Sequence, residues 1–345
     1  MYSNGTILYY QPSMIELGAK LVEGRKIQKL QSQFYDLRGL RTLTYLDNLA
    51  KCNELKRLMH PIISGPSIDD LLDDSHEVVA LLEHDHIIDL AFMLRDENVN
   101  SVMYQMVFTV IGKLQKLKKL KISEIAASCT TNIEILNNSL GRVSQIEDLE
   151  VNFTHRSGGM KGSSTAIKFH KYLKKLKRLK LSNVWHRDFT ESLFDMASQR
   201  HLQELDLSFV QEVPLPNFCE ALQIFRRLQR LSLTSLNFNK INESIFIEFL
   251  KNAPNLQSLC LDSVEVSNQF GNILKAFRQS ETLSELRLAN IAIQNSATRR
   301  EQLQDFVGYA YQMHKCSLET NKLANVDFLS LMYLNRSLLE LELID

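Results

Sequence analysis

The chain has 345 residues, with 40 lysines and arginines balanced by 40 aspartates and glutamates, so no global field draws it to nucleic acid or to an anionic membrane. Its five cysteines, Cys52, Cys129, Cys219, Cys260 and Cys316, are scattered and lack CxxC spacing, which argues against a disulfide framework or zinc ribbon and for a reducing compartment, cytoplasmic or nuclear. Met1 to Gln11 lacks a cationic region followed by an apolar core, and no apolar run reaches the roughly 18 residues of a membrane span, so neither secretion nor spanning is expected.

Along the chain one frame of apolar residues recurs. Thr6 to Tyr10, with a helix-like Pro12 to Glu23 behind it, reads as an atypical first unit. Ile27-Leu30, Leu55-Leu58 and Ile87-Leu90-Phe92 keep the beat in degenerate form. From Leu117 onward the frame is regular: Leu117-Leu120-Ile122-Ile125, Ile146-Leu149-Val151, Leu176-Leu179-Leu181-Val184, Leu202-Leu205-Leu207-Val210, Leu228-Leu231-Leu233-Leu236, Leu256-Leu259-Leu261-Val264 and Leu283-Leu286-Leu288-Ile291. Met313-Cys316-Leu318 and Leu338-Leu341-Leu343 follow as weaker copies, at successive offsets from Leu117 of 29, 30, 26, 26, 28, 27, 30 and 25 residues.

Each copy reads as a short strand with its fourth and sixth positions turned to one face and its third and fifth to the other. Between strands the period changes to that of a helix, as in Lys240 to Asn252, where Ile241, Ile245, Phe249 and Leu250 fall on one side before Ala253-Pro254 ends the run. Ser67-x-x-Asp70 is a capping box. A single strand–helix unit cannot cover its own apolar face, whereas stacked neighbours can. The expected fold is therefore an α/β right-handed solenoid, a horseshoe with parallel strands on the concave face and helices on the convex face. One domain is expected over 1–345, with 1–26 an N-terminal capping unit, 27–116 degenerate repeats and 117–345 regular repeats.

The frame resembles the leucine-rich repeat of the ribonuclease-inhibitor type, shared by F-box leucine-rich proteins and by the GTPase-activating protein of the small GTPase Ran. At the ninth position that pattern often places Asn or Cys to bond the loop backbone. Here the position holds Val184, Val210, Leu236, Val264 and Ile291, with Asn321 the exception, so the loop amides need other partners.

The outward strand positions alternate in sign: Lys119 and Lys121, Asp148 and Glu150, Arg178 and Lys180, Glu204 and Asp206, then Arg230 with Ser232. In parallel register these form a cross-strand charge ladder that fixes register and leaves the centre of the face poor at capturing a uniformly charged ligand. Partner contacts then fall on the less charged strands around Ser258, Cys260 and Arg287, with Ala289 beside them, or on the rim at Trp185, His186 and Arg187.

Other constellations carry less. The basic runs Lys113, Lys116, Lys118, Lys119 and Lys168, Lys171, Lys174, Lys175, Lys177, Arg178 lie where helix passes to strand, where cations suit the negative end of a helix dipole, and read as a solvated edge. His84-Asp85-His86 alternates too strictly to converge on a metal. Thr154 to Ser164 is a glycine-rich loop whose Lys161 precedes Gly162, contrary to a phosphate-binding loop, and Gln211 to Asn217 reads as a strand-to-helix link stiffened by Pro214 and Pro216.

These readings imply a non-enzymatic scaffold or assembly subunit that binds one or more proteins, with no catalytic residue, cofactor or metal. Two alternatives follow from the resemblance: a substrate receptor of a ubiquitin ligase, although no F-box fits before Ile27, and a Ran-type GTPase activator, although no family motif surrounds the loop arginines Arg156 and Arg187 and neither is given a catalytic role. The last frame ends at Leu343-Ile344-Asp345, so a partner or a continuation of the chain is expected to cover that strand edge.

Overall fold

A computed structural model describes residues 6–10, 27–36, 57–64, 88–95, 105, 108–109, 111–126, 130–154, 173–184, 201–214, 222–223, 225–238, 240–266, 270–290, 297–319 and 335–344. The chain forms two compact units, Met1–Leu176 and Lys177–Asp345.

In the first unit, strands β1 (Thr6–Tyr10), β2 (Ile27–Asp36), β3 (Arg57–Ser64), β4 (Asp89–Arg95), β5 (Lys119–Ala126) and β6 (Asp148–Thr154) pair in chain order, every pair parallel. Helix α1 (Thr130–Leu140) makes the crossover from β5 to β6. In the second unit, β7 (Arg178–Val184), β8 (Glu204–Pro214), β9 (Arg230–Phe238), β10 (Ser258–Asp262), β12 (Glu285–Ala289), β13 (Lys315–Glu319) and β14 (Glu340–Ile344) pair in that order, again parallel. Short β11 (Glu265–Val266) follows β10 and pairs with the end of β9. Helices α2 (Lys240–Asn252), α3 (Phe270–Gln279) and α4 (Ala297–Tyr309) fill the later crossovers. Each unit is thus an α/β structure built on an open parallel sheet.

The apolar frame dictates which face of the sheet is dry. Leu205, Leu231, Leu259, Leu286 and Cys316 stand in one register row and Leu207, Leu233, Leu261, Leu288 and Leu318 in the next. All ten are at most 2 % exposed. Fully burying a leucine in such a row contributes on the order of 1.5–3 kcal/mol. Parallel strands covered by helices on both faces read as unbroken apolar runs. These alternate strictly, as in the exposed–buried–exposed–buried start of β7, so only one face is covered.

Two backbone devices repeat with the frame. Where a repeat enters its strand, the carbonyl at the second position accepts two N–H groups from the next repeat: Gln229 N and Arg230 N donate to Gln203 O at 2.7 and 3.0 Å, and Gln257 N and Ser258 N donate to Gln229 O at 2.8 and 3.0 Å. Ser284 and Glu285 donate likewise to Gln257, and His314 and Lys315 to Ser284. One turn earlier, the residue three places before the frame closes a tight turn, as in Leu117 N to Leu114 O and Leu228 N to Phe225 O, both 3.1 Å. Leu114, Val143, Leu173 and Phe225 occupy that place and are buried, which lengthens the apolar frame by one position in the direction of the preceding helix.

At the far end of the strand the eighth position turns left-handed: φ is 58° at Asn183, 59° at Ser235, 51° at Ser263 and 53° at Asn290. Asn tolerates this region better than most side chains, and Ser less so, because a β-carbon there crowds the following carbonyl. The turn answers the question raised by the apolar ninth position. Val184 and Val264 are buried at 2 % exposure, while Ser263 N donates to Ala289 O at 2.9 Å and Asn290 Nδ2 to Asp262 Oδ1 at 2.8 Å, so polar atoms one residue earlier join neighbouring repeats. Ser235→Gly is expected to stabilise the chain by about 0.5–1 kcal/mol and Ser235→Val to destabilise it, both read from urea midpoints.

The link expected from Gln211 to Asn217 begins later than the sequence suggests. Strand β8 runs through Pro214, with Val213 opposite Leu236 and Pro214 opposite Asn237, after a bulge that follows Ser208 opposite Thr234. Pro214 sits at the last paired position, where a missing N–H costs the ladder least.

The helices bury one stripe each. In α3, Ile273, Leu274, Ala276 and Phe277 are buried while Asn272, Lys275, Arg278 and Gln279 are exposed. Phe277 meets Phe306 of α4 with ring centroids 6.2 Å apart. Helix α2 has the expected limits, but Phe246 rather than Ile245 is its fully buried residue.

Candidate functional site

In each unit the candidate site is the solvated face of its sheet. Strand alternation turns the third and fifth frame positions outward, and parallel pairing without a shift over the first residues of the charged strands sets like positions side by side.

In the first unit Lys119 lies opposite Asp148 and Lys121 opposite Glu150. Lys121 Nζ reaches Glu150 Oε1 at 2.9 Å, and one residue before the strands Lys118 Nζ stands 3.9 Å from Glu147 Oε1. In the second unit Glu204 is shared by two guanidinium groups, Arg178 at 3.9 Å and Arg230 at 3.6 Å, and Lys180 Nζ lies 3.4 Å from Asp206 Oδ2. These side chains keep between 33 and 63 % of their area in water, so each pair is worth roughly 0.2–1 kcal/mol. Such pairs hold register and mask charge; they do not hold the unit together.

The alternation also continues beyond the strands in which the sequence reading followed it. Glu285 stands opposite Lys315 and Lys315 opposite Glu340, while Arg287, Ser317 and Glu342 form the adjoining row. Lys315 Nζ is 2.7 Å from Glu340 Oε1 and 3.1 Å from Glu342 Oε1. Hydrogen bonds to Glu340 and then Glu342 raise the Lys315 ammonium above its usual range, and Lys315 first, then Ser317, holds the Glu342 carboxyl below the usual carboxylate range. By linkage, the contribution of Glu342 is present above the ordinary carboxylate pKa and lost as pH falls through its lowered value. That of Lys315 is complete below the ordinary lysine pKa and lost as pH rises through its raised value. The signal was available in the sequence, since the same third and fifth positions read Glu-x-Arg, Lys-x-Ser and Glu-x-Glu.

Between these two paired regions lies β10, where the outward residues are Ser258 and Cys260, both half-buried. Ser258 is flanked by Arg230 and Glu285, and Cys260 by Ser232 and Arg287. This strand is a neutral window in an otherwise charged face. Burial pushes the Cys260 thiol up against the opposing pull of the Ser232 hydroxyl and the Arg287 guanidinium. Burial alone pushes the inward-facing Cys316 up to about 12. Neither sulfur is a thiolate at neutral pH, and so neither is an activated nucleophile. At the rim of the window Asp262 accepts from the Ser263 hydroxyl at 2.9 Å and from Asn290 at 2.8 Å, which ties two repeats together beside Ala289.

The structure therefore brings Ser258, Cys260 and Arg287 onto adjoining strands, next to the ladder residues Arg178, Lys180, Glu204, Asp206 and Arg230. Trp185, His186, Arg187, Arg156, the Thr154–Ser164 loop beyond Thr154, His84-Asp85-His86, the Ser67–Asp70 capping box and Asn321 lie outside the described residues. Among the described residues no group of three or more His, Cys, Asp and Glu side chains is placed to hold a metal ion, and no helix is long and apolar enough to cross a membrane. A surface feature not read from the sequence is the pair Tyr309 and Tyr311, 40 and 58 % exposed, set edge to face with Arg278 5.6 Å over the Tyr309 ring.

No protein-family model matches the chain, and no curated protein matches it. Among solved structures, a similar chain is the Leiomodin-1 Actin-Binding Site 2 (ABS2), at 19 % identity and a TM-score of 0.35, over 44 % of this chain and 88 % of that one.

Proposed function

We propose that each unit is a stack of right-handed leucine-rich repeats of the ribonuclease-inhibitor type, and that the chain is a non-enzymatic protein-binding scaffold of the cytosol or nucleus. The docking surface is the solvated face of the second unit, centred on β10. The observation that supports this most is the one-sided sheet: parallel strands whose outward residues are polar, in register and half in water, where a sheet with no surface role would be covered on both faces. Such a face offers area rather than an enclosed pocket, which suits a macromolecule better than a small substrate.

The ladder explains why β10 is the centre. On either side the charges already satisfy one another, so a partner that displaced them would lose those pairs before gaining its own. Ser258 and Cys260 present no charge to desolvate, and Arg287 stands beside Cys260 on the adjoining strand. Crosslinking of the native complex is expected to map partner lysines and carboxylates to β9, β10 and β12. Ser258→Arg with Cys260→Arg is expected to weaken that complex at least about thirtyfold, the loss expected for a desolvated central position, with circular dichroism unchanged. Full retention of the same partner by the double variant would overturn the assignment of the face.

A further inference from the structure

We propose that the helix-to-strand turns of the first unit form a second docking surface, a basic rim for an acidic polypeptide segment. The turns at residues 111–118, 141–147 and 173–176 carry six cations, Lys113, Lys116, Lys118, Arg142, Lys174 and Lys175, against one acid, Glu147. In sequence these are two separate runs and an isolated arginine. The structure sets them side by side: Lys118 Nζ lies 3.9 Å from Glu147 of the next turn, and Lys175 Nζ donates to Gln145 Oε1 of that same turn at 2.6 Å. All six cations are exposed. The excess is local, because the chain as a whole is neutral and the acids of the adjoining strands, Asp148 and Glu150, face Lys119 and Lys121 on the sheet.

Helix dipoles do not account for this number. A cation in or just past the last turn of a helix gains roughly 0.3–1 kcal/mol, and the effect fades within that turn. It suits Lys113, beside the helical Ile111, and Arg142, just past the end of α1. Lys116 lies further along, within the turn that Leu117 N closes onto Leu114 O, and Lys118 lies just past it. Neighbouring strands are about 4.8 Å apart, so three turns span roughly 10 Å, which an extended peptide covers in about three or four residues at roughly 3.3 Å each. A run of four or five glutamates or aspartates, with bidentate seating on Arg142, fits that span. Single-stranded nucleic acid fits less well, because none of the three turns holds an aromatic side chain on which a base would stack. The proposal is independent of the sheet face, which uses other residues and lies in the other unit.

The test is fluorescence anisotropy of a labelled ten-residue glutamate-rich peptide titrated with the full chain. The variant Lys113→Gln/Lys116→Gln/Lys174→Gln/Lys175→Gln is expected to bind at least tenfold more weakly than the parent. Either half, Lys113→Gln/Lys116→Gln or Lys174→Gln/Lys175→Gln, should account for about threefold and serves if the fourfold variant folds poorly. A control that removes the same charge from the second unit, Arg226→Gln/Arg227→Gln/Lys251→Gln/Lys275→Gln, is expected to change binding less than twofold. Equal loss in control and rim variants would make the effect one of net charge and overturn the site. Tighter binding of an oligouridylate than of the peptide would overturn the choice of partner.

Discussion

Replacing Leu259 by alanine is expected to lower stability by about 3–5 kcal/mol, within the range for a buried leucine whose surroundings cannot close the gap. Leu259 is 1 % exposed and stands in a row between Leu231 of β9 and Leu286 of β12, with Leu261 two residues on in the same strand. Relaxation would have to move a strand, and the strand is pinned. Ser258 N donates to Gln229 O on one side, and on the other Ser284 N and Glu285 N donate to Gln257 O. The cavity therefore stays open and its cost stays near the top of the range. Because each repeat is covered only by its neighbours, the loss should loosen β9 and β12 together with β10. Equilibrium urea unfolding of Leu259→Ala beside Ser258→Ala checks this: the outward Ser258→Ala should fall within about 0.5 kcal/mol of the parent. Comparable losses at the two adjacent positions would contradict a one-sided dry face.

The second large effect is expected at a polar residue. Asn335 is 1 % exposed, and its amide nitrogen donates to Val307 O at 2.7 Å and to Ala310 O at 3.2 Å, while its Oδ1 accepts from Ser337 N at 3.2 Å. One side chain thus closes the end of α4 and shapes the turn into β14. It occupies the place three residues before the frame that Leu114, Val143, Leu173 and Phe225 hold in other repeats and that buried Ser280, which accepts from Leu283 N at 3.3 Å, holds before Leu283, so two of the described turns use a hydrogen-bonding plug where others use an apolar one. Asn335→Ala leaves Val307 O without this donor and adds a void, and is expected to cost about 1–3 kcal/mol. Asn335→Leu restores volume but not the donor and should recover less than half of the loss. If Asn335→Leu proved as stable as the parent, the position would be one of volume alone, like its counterparts.

Much of the architecture was legible before any coordinates. The spacing of Leu205 and Leu207, repeated at Leu231 and Leu233 and at Leu259 and Leu261, named the buried rows because a period of two has only one dry face. The helix Lys240–Asn252 was delimited by its apolar spacing and by Pro254, which cannot continue it. The charge pairs were legible for the same reason, since parallel register follows once the leucines align, and Lys121 with Glu150 or Glu204 with Arg230 then stand side by side. Where the reading stopped short, the signal was weak or absent. Lys315 sits in a copy whose frame is blurred by Met313 and Cys316, which hid the alternation that runs on to Glu340 and Glu342. The left-handed turn at Ser235 and Ser263 has no signature, because serine is common at positions of every conformation. Strand β8 runs on to Pro214 because a bulge realigns Val213 with Leu236, and proline in the sequence argues for the opposite.

What the amino-acid order settled by itself is the repeating unit and its dry side, because alternation and return of leucine are local patterns and burial follows from them wherever the neighbours come from. What only the folded chain decided lies at the turns: the gathering of Lys118, Arg142 and Lys175 on adjoining turns, and the left-handed residues Ser263 and Asn290 that join neighbouring repeats. Those meetings depend on stacking across about thirty residues of intervening chain, a distance over which local propensity carries no information and the packing and hydrogen bonds between repeats decide.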